Sequence, residues 1–123
     1  MARPVTVKFT QNRSYCSGVL IADDLAPATA QAADLVLTCG HFFRGRSVDQ
    51  NIRAAGGALF TSTVADWASI ARSDLAVVRL ADATPPKDLP GLAHRRPRLL
   101  STCTTHGFGG GRRTAAAKAG RVV

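Results

Sequence analysis

His41 and Asp74 are the two residues of this 123-residue chain whose surroundings suit acid–base chemistry. His41 follows Val36-Leu37-Thr38-Cys39-Gly40, an apolar run of β type that stops at a glycine, so the imidazole stands at a strand end. Asp74 heads Leu75-Ala76-Val77-Val78-Arg79-Leu80, the most apolar stretch in the chain. An ionised carboxylate in such a place needs hydrogen bonds and a positive or polarised neighbour to offset its desolvation. Each residue also has a plainer reading: a histidine beside Phe42 and Phe43 packs as a structural group, and Asp74 opens a strand from an exposed turn after Arg72-Ser73. Taken together, a histidine ending one strand and an aspartate opening another make a His–Asp pair. The carboxylate accepts from one ring nitrogen, fixes the tautomer and leaves the other nitrogen as a general base.

The remaining candidates are thiols and a second histidine. Cys39-x-His41 and Cys103-x-x-His106 together offer four zinc ligands, which would make a small metal-stabilised binding module. Neither pair has turn glycines on both sides, and the preferred reading holds no metal and no cofactor. The run Gly107-Phe108-Gly109-Gly110-Gly111 reads as a tight turn, because no Lys-Ser/Thr follows it as a phosphate-cradling loop requires.

The elements that must position these groups are strands. Residues 5–10 alternate apolar and polar with period two, residues 11–14 are a polar turn, and residues 15–21 form a second strand antiparallel to the first. Residues 22–34 shift to Asp, Ala, Pro and Thr and read as a long surface loop; residues 35–38 are the third strand. A short strand over 51–55, a longer bent one over 59–70 and a nearly continuous apolar one over 75–80, expected to be buried on both faces, follow. Prolines 85, 86, 90 and 97 make the next segment an extended connector, residues 99–105 are strand-like, and residues 112–123 have little to bury and are expected to be mobile. The pattern predicts an all-β barrel or sandwich.

Composition narrows the partners. One domain's worth of chain, 46% hydrophobic residues and no apolar run near the ~18 residues of a spanning helix leave no membrane segment. Sixteen basic against eight acidic residues, every acid an Asp, give a net charge of +8. The basic residues cluster at Arg95, Arg96 and Arg98 and at Arg112, Arg113, Lys118 and Arg121, with no aromatic residues interleaved as stacking platforms, so nucleic acid is not the expected partner. The start, Met1-Ala2-Arg3-Pro4, lacks a basic-then-apolar signal sequence.

Four motifs then occur in one order: Cys-Ser-Gly-Val-Leu-Ile at 16–21, Val-Leu-Thr-Cys-Gly-His at 36–41, Ser-Asp-Leu-Ala-Val-Val-Arg-Leu at 73–80, and Gly-Phe-Gly at 107–109. In sequence and order they resemble the trypsin-like, chymotrypsin-fold serine peptidases over about residues 5–110. The resemblance implies an antiparallel six-stranded Greek-key barrel over residues 1–83, a connector over 84–98 and the start of a second barrel over 99–123. It implies a serine-type endopeptidase acting on peptide or protein substrates, normally secreted, with His41 as general base and Asp74 as its orienting carboxylate. The departures are as informative. No Gly-Asp-Ser-Gly-Gly run is present, so the nucleophilic serine, the oxyanion hole and the specificity pocket are expected in a missing C-terminal barrel and the chain alone is expected to be inactive. A non-catalytic pseudo-peptidase or a basic binding module is the alternative. In the family the cysteine at the position of Cys16 pairs with one just after the histidine. Phe42 stands there instead, which leaves Cys39 for a displaced Cys16–Cys39 bridge and Cys103 as a thiol whose partner would lie in the second barrel.

Overall fold

Period-two alternation becomes the wall of a barrel. The computed structural model describes residues 5–21, 35–46, 51–57, 59–81, 96–109 and 114–123. Strand β1 (Val5–Gln11) buries Val7 and Phe9 and turns at Asn12, which takes a left-handed φ of 55°, into β2 (Ser14–Ile21). Strand β3 (Leu35–Cys39) adds antiparallel to β2, with Gly18 opposite Thr38. A Cβ on Gly18 would lie 2.6 Å from Val36 Cγ1, so only glycine lets these two strands approach as they do.

Strand β4 (Arg53–Ala55) pairs with β1 on the side away from β2. Strands β5 (Thr61–Ile70) and β6 (Leu75–Ala81) follow, and β6 closes the barrel against β3. The resulting order, β1-β2-β3-β6-β5-β4, is a closed antiparallel six-stranded barrel, and its β4-β1-β2-β3 run is a Greek key. A second, two-stranded sheet pairs β7 (Thr102–Gly107) with β8 (Ala116–Arg121). It is fastened to the barrel beside β2: Phe108 is buried and its N–H donates to Ser17 Oγ at 2.8 Å.

Two expectations change. The segment 112–123 contains a strand: β8 pairs with β7 along its whole length through backbone hydrogen bonds, which its Ala, Gly and Lys side chains do not announce. Strand β6 is buried on one face only. Ala76, Val78 and Leu80 point into the barrel, while Leu75 and Val77 are exposed because the described residues place nothing over that outer face. The expected surface loop at 22–34 and most of the connector at 84–98 lie outside the described residues.

The core is aromatic at the end that carries the site. Phe43 is fully buried and its ring lies edge-on to Phe9 at 5.2 Å and to Phe42 at 5.0 Å, with Trp67 at 5.7 Å. A bulge in β5 between Val64 and Asp66 brings Trp67 into this group: Val64 stands opposite Leu80 and Trp67 opposite Val78, so the extra residue, Ala65, resets the alternation. Phe43→Ala is expected to cost about 3–5 kcal/mol. Urea denaturation checks this: the midpoint falls while the slope stays unchanged.

Candidate active site

The site forms where two strands end side by side. Cys39, the last residue of β3, pairs with Leu75, the first of β6, so the residues just beyond, Gly40 and Asp74, meet across the seam. Gly40 N–H donates to the Asp74 carbonyl at 2.7 Å. A Cβ on Gly40 would sit 3.0 Å from the Leu75 carbonyl oxygen and 3.4 Å from Asp74 Oδ1, so the glycine gives the carboxylate its room. Asp74 itself ends a single 3-10 turn (Ala71–Ser73) in a left-handed conformation, φ 51° and ψ 37°, which aspartate adopts more readily than most residues.

The carboxylate then grips His41 at two points. The His41 backbone N–H donates to Oδ1 at 2.7 Å, and Nδ1 lies 2.7 Å from Oδ2. An ionised carboxylate only accepts, so the ring proton is on Nδ1 and Nε2 carries the free lone pair. The structure thus brings together the two residues singled out in the sequence. Arg44, three positions after the histidine, places Nη2 3.9 Å from Asp74 Oδ1, a contact the sequence reading missed.

The turn carrying the imidazole is itself tied down. Gly40 O accepts from the N–H groups of Phe43 and Arg44, each at 3.1 Å, and the buried Phe42 and Phe43 anchor the turn in the core. Arg46 donates to Phe42 O and to Gln11 Oε1, and its guanidinium covers the Phe42 ring at 4.3 Å. The His41 and Asp74 side chains nonetheless remain 68% and 48% exposed, so solvent screens the pair.

The cysteines lie close by as free thiols. The expected Cys16–Cys39 bridge is not formed. Because Gly18 stands opposite Thr38, Ser17 and not Cys16 is the residue facing Cys39; the two thiols are neighbours but unbonded. Cys16 Sγ lies 3.6 Å from Thr38 Oγ1, and Thr38 Oγ1 in turn donates to Ser17 O at 2.7 Å. Burial pushes the Cys16 thiol up to about 12. Cys39 Sγ lies 3.8 Å from His41 Nε2, and Cys103 is exposed on β7. The zinc alternative fails geometrically: among the described residues, which include Cys39, His41, Cys103 and His106, no group of three or more His, Cys or Asp could hold a metal ion. Asp74, Cys39 and His106 instead line one shallow cleft of about 340 Å³ on the outer face of β2, β3 and β6.

No family model matches the chain, and no curated protein matches it. Among the described residues, no helix is long and apolar enough to cross a membrane.

The hydrogen bond from the His41 ring holds the Asp74 carboxyl below its ordinary value of 3.8; partial desolvation opposes this, and the His41 N–H and the nearby His41 and Arg44 charges add to the lowering. A carboxyl lowered by folding stabilises the folded state above its ordinary value, and that contribution is lost as the pH falls through the folded value. Carbon-13 NMR of the Asp74 carboxyl is therefore expected to show a titration midpoint below 3.8 that moves upward in His41→Ala.

Proposed function

We propose that this chain supplies the general base and its orienting carboxylate to a serine-type endopeptidase of the trypsin-like kind. The observation that carries the reading is the double contact of one carboxylate with the ring and the backbone of His41 at the mouth of a six-stranded barrel. In this reading Asp74 holds Nδ1 protonated, Nε2 takes the proton of an attacking hydroxyl, and the carboxylate stabilises the imidazolium that results. Order among the four sequence motifs supports it, as does the burial of Phe108, which seats the Gly-Phe-Gly segment against the barrel.

The nucleophile is assigned to a segment outside these residues, since the sequence contains no Gly-Asp-Ser-Gly-Gly run. Peptide or protein substrates would be bound with that segment's help, and the 123-residue chain alone would turn over neither peptides nor esters. A serine-directed fluorophosphonate is the test. It is expected to leave the 123-residue chain unlabelled and to label, at one serine, a chain extended through its own downstream reading frame, with His41→Ala abolishing the label. Stoichiometric labelling of a serine within the 123 residues, lost in His41→Ala, would overturn the assignment of the nucleophile. An extended chain without a labelled serine would overturn the peptidase reading itself.

A further inference from the structure

We infer that Cys39 is a nucleophilic thiol activated by His41, and that it exchanges with low-molecular-weight disulfides to form a mixed disulfide at the mouth of the site. Three groups stand in a chain: Asp74 Oδ2 lies 2.7 Å from Nδ1, and Nε2 lies 3.8 Å from Cys39 Sγ. With the ring proton on Nδ1, the lone pair of Nε2 faces the sulfur, and the S–H is the donor. A base within reach of a nucleophile, and itself oriented by a third group, is the arrangement that activates thiols. The turn explains why the two meet: β3 ends at Cys39, and the chain bends at Gly40 so that the Asp74-held ring of His41 folds back toward the sulfur.

The other two cysteines lack this setting. Cys16 is held as a thiol by burial, with Thr38 and Cys39 itself as its neighbours, and no histidine faces it. Cys103 is exposed on the hairpin, and at 3.7 Å its sulfur meets the position a Cβ on Gly120 would take. Accessibility alone therefore favours Cys103, and activation alone favours Cys39.

The step balances without any further reactant than the disulfide. The Cys39 S–H proton passes to Nε2, and the thiolate attacks one sulfur of R–S–S–R. A Cys39–S–S–R bond forms as the S–S bond breaks, and the departing R–S⁻ takes the proton back from the imidazolium to leave as R–SH. The disulfide is reduced and Cys39 oxidised. The attached group then lies against Nε2, so the same event withdraws the base from any other reaction.

This inference shares His41 with the peptidase reading but requires no serine, so its test is separate. The 123-residue chain is treated with oxidised glutathione, and in a parallel arm with iodoacetamide, and occupancy at Cys16, Cys39 and Cys103 is followed by peptide mass spectrometry. Cys39 is expected to react faster than Cys103 in the same molecule by about tenfold or more. In His41→Ala that advantage is expected to vanish while the Cys103 rate stays unchanged; the 68% exposure of the histidine side chain means that its removal opens no cavity in the core. Equal or slower reaction at Cys39 in the unaltered chain, or an advantage that survives in His41→Ala, would overturn the inference.

Discussion

Pairing of Cys39 with Leu75 sets where β3 stops relative to where β6 begins. Because the seam is antiparallel, the residues leaving one strand meet those entering the other, and Gly40 and Asp74 exchange a backbone hydrogen bond at that point. The register therefore decides the site. A shift by one residue would leave Asp74 facing the opposite side of the sheet and would empty the inward positions of Ala76, Val78 and Leu80 as well. The same hydrophobic pattern that fills the barrel thus fixes the carboxylate against the imidazole, and stability and site geometry depend on one set of contacts.

Rigidity beneath the site contrasts with openness above it. Phe42, Phe43 and Arg46 hold the turn from below through packing, a cation–ring contact and a hydrogen bond to Gln11 of β1. The His41 and Asp74 side chains face water, where a charge pair is weak and local dielectric is high. A proton relay gains strength when a surface settles over it and excludes solvent. The exposed Leu75 and Val77 on the outer face of β6 continue from the same seam.

Much of this was readable from residue order, for reasons that differ by element. Strands with period two and a clear turn, such as β1 and β2, announce themselves, and the bent strand over 59–70 appears as β5 with its bulge. His41 and Asp74 stood out because each sits where an apolar run changes to polar chain. Strand β8 did not, since its pairing is made by the backbone and its small side chains bury little. For β6 the letters mislead: Val77 and Val78 look alike, and only the barrel's curvature tells which one is inside. The contact of Cys39 with Nε2 depends on the bend at Gly40 and on the grip of Asp74 on the ring, neither of which residue order announces.

The bulge at Ala65 shows how the chain can change length without losing its site. Side chains along a strand are ordered by odd and even positions, and Ala65 is the one place in β5 where the count is broken. Drawing Ala65 into a regular ladder would exchange the roles of Asp66 and Trp67, placing a carboxylate beside Phe43 and an indole in water, whereas deleting it would leave Asp66 opposite Arg79 and Trp67 opposite Val78. Elsewhere in the strand, insertions or deletions of two residues preserve parity, whereas single ones invert it. Related sequences should therefore vary in this strand by even steps, or by the single residue at the bulge itself.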